Sequence, residues 1–171
     1  MRHFPLVVFV TLLCSSACIV FAQTPVQLCV ANMQSVNAGT GTAGRDQLMK
    51  FLAKEKDKSV AQDVPIEAST PELALQEAKK DNCDYVVTTN QTESHQENSL
   101  MTGPFGQTSM PTYYVTTAYK LTKVSDGSEV SSGSLKASDR GSEQNAISFT
   151  MHKIADKVTQ DIKKAGPISH S

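Results

Sequence analysis

The stretch 69–92, STPELALQEAKKDNCDYVVTTNQT, carries the signals of a helix followed by those of a strand. Thr70 is of a residue type that caps helices, and Pro71 fits the first helical turn. Lys79 and Lys80 are basic residues, which are favourable at the carboxyl end of a helix. Asn82 can take the left-handed conformation that closes a helix. Residues 83–92 are rich in Tyr, Val and Thr, which is typical of a strand. The stretch therefore predicts a helix that leads directly into a sheet strand.

A similar strand and helix precede this stretch. Residues 26–33, VQLCVANM, are apolar on both alternating sets of positions, which predicts a central strand covered on both faces. Residues 45–58 repeat apolar residues at helical spacing, with lysines turned outward. Residues 63–68 then predict a short strand, and Pro65 within it indicates a position at the edge of the sheet.

Two strands and a long helix complete the pattern. Residues 112–124 alternate in polarity, the pair Asp126-Gly127 favours a hairpin turn, and residues 129–137 return as a second strand. Ser142 can cap a helix of about 23 residues that carries one apolar stripe. The stripe consists of Ile147, Met151, Ile154, Val158 and Ile162.

The predicted order of elements is β-α-β-α-β-β-β-α. Two strand-helix units favour a partly parallel sheet with right-handed crossovers, and the hairpin adds antiparallel strands. We therefore predict an α/β (α+β) domain with a three-layer-like mixed sheet of about five strands. The long C-terminal helix is expected to lie across one face of that sheet.

The amino terminus, MRHFPLVVFVTLLCSSACIVFA, has a basic start, an apolar run and small residues, which predicts a signal peptide over residues 1–22. The remaining 149 residues are predicted to form one domain, 23–166, and a tail, 167–171. Two alternatives stay open: a retained anchor, or lipidation at Cys18, because SSAC loosely resembles a lipoprotein cleavage box. We expect membrane association only if Cys18 carries lipid. The exported part has 15 basic and 17 acidic residues and no basic patch, so no nucleic-acid partner is predicted.

Two cysteines, Cys29 and Cys83, remain after removal of the signal peptide. An even pair in an exported chain permits one disulfide, and both residues fall at predicted strands. The alternative is that they are two small buried side chains.

The segment NAGTGTAGRD, 37–46, contains Gly39, Gly41 and Gly44 at the spacing of a dinucleotide-binding loop. Five residues separate the predicted strand from Gly39, whereas a dinucleotide loop turns straight off its strand. We therefore predict no nucleotide and no cofactor. A small-molecule or anion contact at Gly39 to Arg45 is kept as an alternative function.

The segment ESHQENSLMTGPFGQTSMP, 93–111, shows no periodicity and is predicted to be a long mobile loop. Residues 91–111 and the edge of the adjacent hairpin are the predicted partner-contact surfaces, and the candidate contact residues are His95, Leu100, Met101, Phe105 and Met110. If this segment were extended, Glu93, His95 and Glu97 would lie on one side and could hold a metal ion weakly. We expect a solvated loop instead, with no metal site. No motif of a catalytic nucleophile or metalloprotease occurs in the sequence, so an enzyme is only a further alternative.

Two passages, AKKDNCDYVVTTNQT (78–92) and YYVTTAYKLTKVSDGSEVSSGSLKA (113–137), resemble a group of bacterial envelope domains. The group includes the amino-terminal domain of the Tol translocation protein, curli export-channel lipoproteins and lipoproteins that activate penicillin-binding proteins. The resemblance covers about residues 26–165 and implies an α/β domain that contacts another envelope protein without catalysis. It also implies a location in the periplasm or on the periplasmic face of the outer membrane.

Overall fold

The structure, a computed structural model, describes residues 26–35, 41–54, 62–104 and 106–165 of the 171-residue chain. The predicted signal peptide, with Cys18, and the predicted tail lie outside the described residues. So do Gly39 and Phe105.

In the described part of the chain, five strands form one mixed sheet, and three helices connect or cover them. The strands are β1 Gln27–Val30, β2 Gln62–Pro65, β3 Tyr85–Gly103, β4 Gly106–Lys123 and β5 Glu129–Asp139, and the helices are α1 Gly41–Lys54, α2 Pro71–Lys80 and α3 Glu143–Ala165. Their spatial order is β2-β1-β3-β4-β5. β1 pairs in parallel with β2 and β3, whereas β3, β4 and β5 pair antiparallel. The predicted fold class and element order are confirmed, and β2 with its proline lies at an edge.

The ends of two helices follow the capping rules that the sequence predicted. Thr70 Oγ1 accepts a hydrogen bond from the Leu73 N–H at 3.4 Å at the start of α2. Asn82, just beyond the end of this helix, has a φ of 54°, in the left-handed region. At the start of α3, Ser142 Oγ accepts from the Asn145 N–H at 3.1 Å.

The two faces of the sheet are covered unequally. α1 and α3 pack on one face, and their larger cluster includes every residue of the predicted α3 stripe. The smaller α2 covers part of the other face through Ala74 and Ala78, in a cluster that also contains Cys29 and Cys83. On β4, alternation places Thr116, Ala118, Lys120 and Thr122 on that second face.

The prediction of a mobile loop over residues 93–111 is wrong. This segment forms the distal halves of β3 and β4, paired from Glu93↔Thr116 to Gly103↔Gly106 after a register shift between Gln91 and Glu93. Its side chains are mostly exposed, so they lack the apolar alternation by which a buried strand is recognised. Cross-strand hydrogen bonds, which leave no such pattern in the sequence, hold the two strands together. We call residues 93–103 and 106–112 the arm.

Candidate partner-contact surface

The arm places most of the predicted contact residues on an extended, two-stranded hairpin. Leu100 is 71% exposed and Met110 is 37% exposed, and both lie near its end. Met101 belongs to β3 beside them, and His95 is exposed nearer the sheet. Over residues 106–112, no described strand pairs with the outer edge of β4, so backbone groups of the arm are open to a partner.

His95 stands at the base of the arm between two carboxylates. Its Nδ1 lies 3.3 Å from Glu93 Oε1, and its Nε2 lies 3.6 Å from Glu97 Oε1. The imidazole also stacks on the Tyr114 ring, with centroids 5.1 Å apart and planes at 14°. Thr116 Oγ1 donates to Glu93 Oε2 at 3.0 Å, which holds that carboxylate toward the sheet. Glu93, His95 and Glu97 therefore lie on one side of an extended strand, which the sequence analysis had kept as the alternative to a loop.

The base of the arm is fixed to the first turn of α3. Gln91 is fully buried, and its Nε2 donates to Glu143 Oε1 at 3.0 Å. Ser94 Oγ donates to the same carboxylate oxygen. Ser35 Oγ in turn donates to Gln91 Oε1 at 2.7 Å. The helix dipole also stabilises the Glu143 carboxylate, because it lies at the amino terminus of α3. These contacts therefore join the base of the arm to α3.

A groove that the sequence analysis missed lies beside the edge strand β5. It has a volume of about 520 Å³. Its lining comes from β4, β5 and α3: Tyr114, Lys136, Ala137, Ser138, Phe149 and Lys153. Phe149 is 51% exposed, and Lys153 Nζ donates to the Lys136 carbonyl at 3.3 Å. One signal could have found the groove, because Phe149 is an aromatic residue outside the apolar stripe of its helix.

The glycine segment has a packing role at the two glycines that the structure describes. The Met33 N–H donates to the Gly41 carbonyl at 3.0 Å, so α1 begins against the end of the β1 segment. A Cβ added to Gly44 would stand 2.7 Å from Met33 Cε and 3.0 Å from Met33 Cβ. The third glycine of the pattern therefore permits close packing of helix on strand.

Arg45, at the end of the proposed anion contact, already has anionic partners. Its Nη1 lies 2.7 Å from Glu67 Oε1, and its Nε lies 3.1 Å from Asp46 Oδ1. The hydrogen bond to Glu67 raises the pKa of Arg45, and the same bond lowers the pKa of the exposed Glu67. The guanidinium therefore links α1 to the residues after β2, and the anion contact stays a prediction.

Cys29 and Cys83 lie beneath α2, in the smaller core cluster. Their Sγ atoms are 2.02 Å apart and their Cα atoms 5.8 Å apart, as in a disulfide. The bond ties β1 to the turn before β3.

Among the described residues, no group of three or more His, Cys, Asp or Glu side chains is arranged to hold a metal ion. None of the three described helices combines the length and the apolar character that crossing a membrane requires.

No protein-family model matches the sequence, and no curated protein matches it significantly. Solved structures do match. The PelC dodecamer from Paraburkholderia phytofirmans is 15% identical and has a TM-score of 0.53, with 81% of this chain and 89% of that chain covered. XCC0632 from Xanthomonas campestris, of the family DUF330, is 14% identical with a TM-score of 0.52, over 84% and 89% of the two chains. CT253 from Chlamydia trachomatis is 9% identical with a TM-score of 0.51, over 80% and 95%. The fold implied by the resemblance to bacterial envelope domains is thereby confirmed.

Proposed function

We propose that this chain is an exported protein of the bacterial envelope that acts by contact with other proteins and catalyses no reaction. The observation that carries the proposal is the arm. It is a paired hairpin with exposed apolar residues at its end, its described side chains are mostly exposed, and its base is joined to α3. Exposed apolar side chains beside unpaired strand edges are a common means of protein recognition.

The predicted signal peptide supports export, and the bond between Cys29 and Cys83 suits an oxidising compartment. We place the protein in the periplasm or at the periplasmic face of the outer membrane, and attach it to a membrane only if Cys18 is lipidated. The intact mass of the exported protein reports both the cleavage site and any lipid.

We also propose that one of its partners is a further copy of the same chain. A protein with the same fold, PelC, forms a dodecamer, which shows that this architecture can assemble with itself. In an assembly of several copies, several arms could contact one partner, and this multivalency would raise the overall affinity for that partner.

Photocrosslinking in the exporting cell tests the proposed contact surface. A photoreactive phenylalanine analogue is placed at Leu100, at the end of the arm, or at Leu73 on α2 as a matched control. Both side chains are exposed apolar residues, at 71% and 51%. We expect a discrete adduct from position 100 and none from position 73.

The mass of the adduct identifies the partner class. An adduct of twice the chain mass indicates a second copy, and any other discrete mass indicates a different envelope protein. Equal adducts from both positions, or no adduct from position 100, would contradict the arm as the contact surface.

A further inference from the structure

The arm and the groove carry complementary pairs of side chains, and this inference rests on the proposed function. On the arm, Glu97 pairs with Thr112 and Ser99 pairs with Met110. Alternation along the strand therefore places Glu97 and Met110 on one face. As diagonal cross-strand neighbours they stand about 7–8 Å apart. The arm thus presents a negative charge beside an apolar side chain.

The groove presents the opposite charge at a similar spacing. Phe149 and Lys153 are one turn apart on α3, which separates their Cβ atoms by about 5–6 Å. Tyr114 extends the apolar part of the groove, and Lys136 adds a second positive charge. Arm and groove therefore carry opposite charges, each beside an apolar side chain, and the distance between the charged and the apolar residue is similar on both.

We propose that the arm of one copy binds in the groove of a second copy. In this contact, Met110 packs against Phe149 and Tyr114, and Glu97 forms an ion pair with Lys153. The ammonium group of Lys153 can serve both Glu97 and the backbone carbonyl that it already contacts.

The contact must join two copies and cannot close within one chain. Tyr114 lies at the base of the arm, opposite His95, and Met110 lies four residues farther along the same strand. At about 3.3 Å per residue, this places Met110 roughly 13 Å beyond the groove of its own chain. Because arm and groove are different surfaces, the contact is head-to-tail and builds either a closed ring or a filament.

Charge exchange tests the pairing. Sedimentation velocity of the mature, full-length exported protein is measured for the wild type, for Glu97→Lys, for Lys153→Glu and for the double variant. We expect each single variant to weaken self-association about tenfold or more, and the double variant to recover most of it, because exchange restores an opposite-charge pair. Lys50→Glu, at an exposed lysine on α1, is the matched control and should associate like the wild type.

A second variant tests the apolar half of the contact. Phe149→Ser removes an exposed ring and should weaken association without loss of helical circular dichroism. Single variants that associate like the wild type, or a double variant no better than the singles, would overturn the proposal. A wild-type protein that stays monomeric at high micromolar concentration would also overturn it. In that case, the proposed contact between copies would fall with it, whereas an adduct from Leu100 to a different protein would still support the proposed contact with another envelope protein.

Discussion

Cys29 and Cys83 are buried and joined across 54 positions of sequence, in the cluster beneath α2. Loss of a disulfide from a single exported domain typically costs about 2–5 kcal/mol, because the unfolded chain regains the freedom of the closed loop. We therefore expect the double variant Cys29→Ala/Cys83→Ala to remain folded with a lower free energy of unfolding in urea.

Treatment of the wild type with a reductant gives the matched comparison, since it breaks the bond without changing side-chain volume. It should reproduce most of the loss. A urea midpoint that is the same for oxidised, reduced and doubly substituted protein would contradict a structural role for this bond.

Gly44 belongs to a glycine pattern that is typical of dinucleotide-binding loops, but in the structure it has a packing role. Glycines 39, 41 and 44 have the spacing of a dinucleotide-binding loop, and this spacing alone does not separate a phosphate-binding turn from a packing contact. In the structure the side chain of Met33 occupies the space that a Cβ on Gly44 would need. A long-range contact of this kind depends on where β1 ends and α1 returns, which no local pattern encodes.

At the scale of elements, α3 is the part of the fold that is most readily predicted. Its cap at Ser142 and its apolar stripe are local signals, and all five stripe residues are buried. A stripe with a regular helical period reports directly which side of a helix meets the core. Phe149 lies off this stripe and was not singled out from the sequence, because its place in a groove depends on strand β5 beside it.

The arm is the element that could not be predicted, because it buries almost nothing. An exposed hairpin has no inner face, so Leu100 and Met110 show no alternation with a core. The turn between Gly103 and Gly106 is also unlike the Asn-Gly or Asp-Gly pairs that favour the shortest hairpins. Its strands are defined by pairing with each other and by the anchor at Gln91 and Glu143.

Shortening the arm should therefore leave the domain intact. In the variant, residues 98–111 are replaced by Asn-Gly, so that a two-residue turn joins the paired residues Glu97 and Thr112. Because the removed side chains are largely exposed, we expect the free energy of unfolding to change by about 1 kcal/mol or less. Thermal unfolding followed by circular dichroism measures the change.

Ile154→Ala is the matched comparison for the shortened arm, because it removes a side chain from the core of the same domain. Ile154 is fully buried, and its truncation should cost about 2–5 kcal/mol. If the shortened arm lost as much stability as this core variant, the arm would be part of the folding unit.

The whole molecule is asymmetric, and this asymmetry relates the fold to the proposed function. Among the described residues, two helices cover one face of the sheet and a short helix covers only part of the other, so the larger core cluster lies on the first face. The arm continues the sheet beyond the core, and the groove lies at its free edge. The fold could be predicted because it follows from local periodicity, whereas both surfaces arise from elements that meet at the periphery.

Four carboxylates distributed over the surface have pKa values below the ordinary range. Arg45 lowers the pKa of Glu67, and hydrogen bonds from Ser128 lower that of Asp126. Hydrogen bonds from the side chains of Ser132 and Lys120 lower the pKa of Glu129. The backbone N–H groups of Ser142 and Gly141, in the turn before α3, lower that of Asp139. Three of them are exposed and Asp139 is partly exposed, so each contribution is screened by solvent and small.

These carboxylates should make the domain less stable in acid. Because their folded pKa values are depressed, the unfolded chain binds more protons, and the stabilisation is fully present above the unfolded value of about 4. It is lost as the pH falls through the folded values. We expect the urea midpoint of the wild type to decrease below about pH 4. The urea midpoint of Asp139→Asn should decrease less steeply over the same pH range. The asparagine amide can still accept the hydrogen bonds from Gly141 and Ser142 but does not titrate. Equal slopes for wild type and Asp139→Asn would show that this turn does not contribute to the pH dependence.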